Sequence, residues 1–146
     1  MRHLFHLVLA GALVFPLLSR GQVRFTEVTR TAGISFTHNA GKQGKKWLPE
    51  TMGAGAAFLD FDNDGWLDIL LINSRDWNPG KRKSFHGLYR NLGNGKFEDV
   101  TRGSGLDIEM YGLGVTVGDY DSDGLDDVYI TALEADRLFK NIVAGK

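Results

Sequence analysis

Apolar and polar positions alternate in short runs along this chain, and none is long enough to suggest a sustained helix after residue 24. The sequence "GAGAAFL" (53–59) is apolar and rich in small residues, and "ILLI" (69–72) is apolar without clean alternation. "HGLYRN" and "KFEDVT" flank "LGNG", a hairpin signal. This pattern predicts four short antiparallel strands at 54–59, 67–73, 86–91 and 96–101. Runs such as "ILLI" predict sheets covered on both faces.

The pattern then repeats. "GAGAAFLD" (53–60) aligns with "GLGVTVGD" (112–119), and "WLDILLIN" (66–73) with "LDDVYITA" (125–132). "FTEVTRTAGI" (25–34) aligns with "FEDVTRGSGL" (97–106), and "LYRNLGNGK" (88–96) with "LFKNIVAGK" (138–146). Pieces recurring in one order mark a repeat architecture whose units stack to bury a shared core. Four-stranded antiparallel sheets stacked around an axis make an all-β propeller, with small first-strand residues at its crowded centre. About 125 residues follow position 21. They suffice for about two blades plus the start of a third, whereas a closed ring takes roughly four or more. The expectation is an incomplete propeller, the N-terminal piece of a longer protein, that folds poorly alone.

Composition changes this picture little. The chain is 42% hydrophobic and 24% charged, with a formal net charge of −1, which gives no electrostatic reason to propose nucleic acid as a partner. Cysteine is absent, so disulfides play no part. The N-terminus carries Arg2, an apolar run at Leu4–Leu18, and small residues at Ser19 and Gly21. This pattern predicts a cleaved signal peptide at 1–21 and a propeller segment at 22–146. The run is short for a span of roughly 20 apolar residues. A secreted or extracytoplasmic location without a membrane span after cleavage follows.

Charge distribution is more telling. "DFDNDGWLD" (60–68) carries four aspartates and "DYDSDGLDD" (119–127) five, half of the 18 acidic residues of the chain. Calcium takes roughly six to eight hard oxygen ligands on a flexible loop. In the first loop Asp60, Asp62, Asp64 and Asp68 supply carboxylates and Trp66 a backbone carbonyl. In the second these are Asp119, Asp121, Asp123, Asp127 and the carbonyl of Leu125. Gly65 and Gly124 permit the turn, and Asp126 is expected to point away into solvent. An EF-hand would need a glutamate where Leu71 and Ile130 stand. Zinc would want His or Cys, and magnesium keeps more water than so dense a carboxylate set allows. The alternative is a polar β-turn whose aspartates only cap and turn.

"GAAFLDFDNDGWLDILLIN" and "GVTVGDYDSDGLDDVYIT" resemble FG-GAP (integrin-α-type) repeats. "FTEVTRTAGI", "WLPETMGAGAAFLDFDNDG" and "LYRNLGNGKFEDVT" resemble, more narrowly, the secreted cartilage acidic protein-like family. The resemblance implies a seven-bladed propeller with calcium at the loop positions named above, and an association with adhesion and ligand recognition.

Strand parity puts the acidic loops and "LGNG" on one face of the disc and the insertions 35–52 and 74–87 on the other. The second face gathers Lys45, Lys46, Trp47, Trp77, Arg82 and His86, candidates for binding an acidic glycan or an acidic extracellular protein surface. Solvated loops with tryptophans packed on the blade edges would look the same in sequence. No nucleophile–base spacing or phosphate loop is present, so the reading is a non-catalytic recognition or adhesion scaffold. The propeller domain of an exported enzyme, or a structural spacer in a large surface protein, are the alternatives.

Overall fold

The structure is a computed structural model that describes residues 22–78 and 83–142. Residues 1–21, predicted above as a signal peptide, and Arg82 lie outside the described residues.

Among the described residues seven strands form two antiparallel sheets. The first blade is a meander of β1 (Ala56–Leu59), β2 (Asp68–Leu71), β3 (Gly87–Asn91) and β4 (Phe97–Asp99). The second comprises β5 (Gly112–Gly118), β6 (Asp127–Ala132) and β7 (Arg137–Phe139). The predicted strands of the first blade are all present, each of them shorter than expected. The second blade has three strands among the described residues, and the start of a third blade is not among them. A single helical turn, α1 (Leu48–Thr51), was missed because one turn leaves no periodicity to read. Pro49 lies in its first turn, where proline costs no backbone hydrogen bond.

The repeat is exact in register. Ile69 pairs with Tyr89 as Val128 pairs with Phe139, and Leu70 with Leu88 as Tyr129 with Leu138. Because neighbouring residues alternate between faces, each blade has one face toward its predecessor and one toward its successor. Leu59, Leu70, Ile72 and Leu88 of the first blade pack against Val128 and Ile130 of the second, joined by Leu106 and Met110 of the connecting segment. All eight are buried. On the opposite face of the first blade, Phe58 is 67% exposed, and on that of the second, Tyr129 and Leu138 are 38% and 50% exposed. These are the faces that neighbouring blades would cover, and the architecture is that of propeller-like blades.

Small residues let the inner strands meet. Gly55 donates its N–H to the Leu113 carbonyl at 2.9 Å, and a Cβ there would stand 2.9 Å from the Val115 nitrogen. At Gly112 an added Cβ would lie 2.5 Å from Ile72 Cγ2 and 2.9 Å from the Asn73 carbonyl oxygen. Gly112→Ala is therefore expected to cost about 2 kcal/mol through overpacking of the blade contact. Gly118→Ala, where nothing lies within 4 Å, is the matched control. Urea unfolding of the two variants checks this, and equal midpoints would refute it.

Candidate metal centre

Both acidic loops join the first and second strands of their blades, as the spacing predicts, and their hydrogen bonds coincide. Asp60 accepts the N–H groups of Asp64 and Gly65, each at 2.9 Å; Asp119 accepts those of Asp123 and Gly124 at 3.0 and 2.8 Å. Asp64 accepts the Trp66 N–H at 2.9 Å, and Asp123 that of Leu125 at 3.0 Å. Positive φ angles fall at Asn63 and Gly65, and again at Ser122 and Gly124. The backbone turns back on itself there, which brings aspartates spaced along the sequence to one side.

The last aspartate of each loop is buried. Asp68 accepts N–H bonds from Phe61 at 3.1 Å and Asn91 at 2.7 Å, and Asp127 accepts them from Tyr120 at 3.1 Å and Asn141 at 2.7 Å. One carboxylate thus ties the loop to the end of the third strand. Burial pushes the Asp68 pKa up, the two N–H bonds work against that, and the charges of Asp62 and Asp64 add to it.

Carboxylate oxygens of Asp60, Asp62 and Asp68 all lie within 4.8 Å of one another, as do those of Asp119, Asp121 and Asp127. Each cluster could hold a metal ion, and an all-oxygen, all-carboxylate donor set fits a hard cation such as calcium. Asp62 also has a buried Oδ1 without a hydrogen-bond partner. Asp64 and Asp123 stand outside these clusters. Trp66 is exposed and lies across Gly93 of the β3–β4 hairpin, where an added Cβ would be 3.0 Å from its ring. The acidic loop and "LGNG" therefore share one face, as strand parity requires.

Two cations belong to the same site and were missed in the sequence. Arg90 Nε lies 2.8 Å from Asp62 and its Nη2 3.6 Å from Asp64. Lys140 pairs with Asp121 and, at 2.9 Å, with Asp123. The Lys140 ammonium lowers the pKa of Asp123, and the two aspartates hold the ammonium above its ordinary range. The signal was present: Arg90 and Lys140 occupy matched places in "LYRN" and "LFKN".

Asp126 corrects an expectation. It is half-buried and its Oδ2 accepts the Asp60 N–H at 3.0 Å, so it links the second loop to the first. Asn141 adds a second link, donating from Nδ2 to the Phe61 carbonyl at 2.8 Å.

On the insertion side, Trp47 and Trp77 meet edge to face at 4.7 Å between centroids, and Trp77 lies 5.0 Å from Tyr111. Lys45 Nζ sits 5.1 Å from the Trp47 ring centre, and Lys46 is exposed. Tyr111 is buried and donates to the Ala40 carbonyl at 2.6 Å. His86 does not belong to an exposed ligand face. It is 2% exposed, and its Nδ1 accepts the Asn73 N–H at 3.0 Å. Asn73 in turn donates to the carbonyls of Thr37 and Phe85, while its Oδ1 accepts the Asn39 N–H at 2.7 Å. A polar insertion is drawn inward where most of its polar groups find partners, His86 Nε2 and Trp77 Nε1 being buried exceptions.

Among the described residues no helix is long and apolar enough to cross a membrane. No curated protein matched the chain. Residues 60–130, from the first aspartate of the first loop into β6, match the family model of the FG-GAP-like repeat, which supports assigning this segment to the FG-GAP family.

Proposed function

We propose that this chain is an exported, calcium-stabilised FG-GAP propeller module, similar to the cartilage acidic protein-like secreted proteins, that serves as a non-catalytic scaffold for recognition or adhesion. The observation that supports it best is the pair of loops with one hydrogen-bond pattern, each bringing three carboxylates within 4.8 Å of one another. Calcium at Asp60, Asp62 and Asp68, and at Asp119, Asp121 and Asp127, would neutralise the charge that the turn concentrates. Asp64 and Asp123, and the carbonyls of Trp66 and Leu125, complete the proposed sets. Extracellular modules bind with Kd of about 0.1–1 mM. Millimolar calcium then stabilises the fold by about 0.4–1.4 kcal/mol per site. The insertion face around Lys45, Lys46, Trp47 and Trp77 is the proposed docking surface for an acidic glycan or an acidic extracellular protein.

A second reading has a specific observation behind it. Arg90 and Lys140 already stand against the loop carboxylates, and internal neutralisation of this kind would leave the loops as metal-free turns. Calorimetric calcium titration separates the two. The proposal expects about two ions per chain, no binding in an Asp62→Ala, Asp121→Ala double variant, and tighter binding once Arg90→Gln and Lys140→Gln remove the competing cations. A folded chain that takes up no calcium, with or without the two cations, would establish internal neutralisation.

A further inference from the structure

The hairpin turn "LGNG" carries chemistry that neither the acidic loops nor the insertion face uses. Asn94 Oδ1 accepts the Lys96 N–H at 3.1 Å, and Gly95 between them has a φ of 76°. Asn94 and Gly95 are exposed, and a Cβ built on Gly95 would meet nothing within 4 Å. Among the described residues nothing accepts the Gly95 N–H, and nothing accepts the Asn94 side-chain amide. A backbone nitrogen open to solvent thus follows directly on a side-chain carbonyl that a donor already polarises.

Two other glycines stand in the same turn and differ at the nitrogen. Asp64 Oδ1 accepts the Trp66 N–H and Asp123 Oδ1 that of Leu125, as Asn94 does with Lys96. There, however, the Gly65 N–H donates to Asp60 at 2.9 Å and the Gly124 N–H to Asp119 at 2.8 Å. Those nitrogens are held, and a carboxylate is a poorer electrophile than an amide. The remaining asparagines are held as well. Asn39, Asn73, Asn91 and Asn141 each donate from Nδ2 to a fixed acceptor. The N–H that follows Asn63 is bonded to Asp60, and Asn78 precedes a proline, which has no N–H. Among the described residues only Asn94 joins a free nitrogen to a free leaving group.

We propose that Asn94 is a modification site, at which the chain converts its own side-chain amide to a carboxylate with water as the co-reactant. Hydroxide removes the Gly95 amide proton, and the nitrogen forms a bond to Asn94 Cγ. The Lys96 N–H faces the oxyanion that develops on Oδ1. The Cγ–Nδ2 bond then breaks, and ammonia leaves with a proton from water, which regenerates the hydroxide. Water opens the resulting cyclic imide at either of its carbonyls. Opening on one side gives aspartate, and on the other isoaspartate, whose main chain runs through the side-chain carboxyl. Isoaspartate adds a methylene to the turn that the Leu92 N–H closes on the Lys96 carbonyl at 2.9 Å. Either product adds a negative charge to the hairpin against which Trp66 lies. The reaction requires neither metal nor partner and is independent of the calcium reading.

The test is incubation of the 146-residue chain at mildly alkaline pH, followed by peptide mapping with mass detection and chromatographic separation of isoaspartate. The peptide containing Asn94 is expected to gain the mass of an amide-to-acid conversion, in two isomeric forms, at a rate proportional to hydroxide concentration. Asn94→Gln, whose side chain is a methylene longer, is expected to stop the conversion and the accompanying release of ammonia. Unfolding in urea removes the Asp60 and Asp119 bonds, and isoaspartate is then expected at positions 64 and 123 as well. A folded chain that keeps its Asn94 amide would overturn the proposal. So would isoaspartate at 64 or 123 of the folded chain as early as at 94, since holding the nitrogen would then make no difference.

Discussion

Asp68→Leu is expected to destabilise the chain by about 3–5 kcal/mol, and to do so in excess chelator. The side chain is fully buried, and each of its oxygens accepts a backbone N–H, from Phe61 and from Asn91. A hydrogen bond to a charged group is worth about 1.5–3 kcal/mol, and leaving a buried donor unpaired adds a desolvation cost. Leucine has nearly the right volume, so the loss would report the bonds and not a cavity. With a total stability of about 5–15 kcal/mol at most for a domain of this size, the variant stands near the edge of folding. Asp127→Leu is the internal repeat of the experiment, since the same two bonds recur from Tyr120 and Asn141. Asp62→Asn is the contrast: Asp62 accepts no backbone N–H bond and meets only the Arg90 side chain, and its effect should emerge with calcium present. Urea unfolding in chelator and in calcium distinguishes a structural pin from a metal ligand. A chelator-treated Asp68→Leu chain within about 1 kcal/mol of the wild type would show that the pin carries little.

How much of this could be read in advance depended on how local the determining contact was. The strands and their register follow from repeated short-range pattern, which is why Leu70–Leu88 and Tyr129–Leu138 fall in matching places. The acidic loops were legible for the same reason, since Gly65 and Gly124 set the turn from within. Contacts between blades were not legible. Asp126 reads as solvent-exposed from its own loop, yet its partner is the N–H of Asp60, 66 residues away. Arg90 lies in the third strand of its blade and Lys140 directly follows the third strand of the other, so their meeting with the aspartates depends on the strand order. His86 was misplaced because a polar insertion looks solvated. Its burial rests on an Asn73–Asn39–Ser84 network that gives the surrounding polar groups partners inside the fold.

His86 should make stability fall steeply between pH 6.5 and pH 4. Burial lowers its pKa from 6.5 to about 4. Because Nδ1 accepts the Asn73 N–H, the neutral ring carries its proton on Nε2. A second proton would have to enter at Nδ1, replacing an acceptor with a donor that faces another donor, and would bury a charge. The sign follows from linkage: in this window the unfolded chain binds the proton and the folded chain does not. The contribution is complete above pH 6.5 and disappears as pH drops through about 4, a loss of about 3 kcal/mol. His86→Asn keeps an acceptor for Asn73 and cannot titrate in this range. At pH 7.5 it should be less stable than the wild type by about 1–2 kcal/mol, for the smaller side chain. At pH 4.5 that gap should close or reverse, because only the wild type has met the cost of keeping a histidine neutral. Aspartates titrating over the same range contribute to both proteins and cancel in the difference. Urea midpoints taken at both pH values test this, and parallel profiles would mean that the imidazole is protonated in the folded state as readily as in the unfolded one.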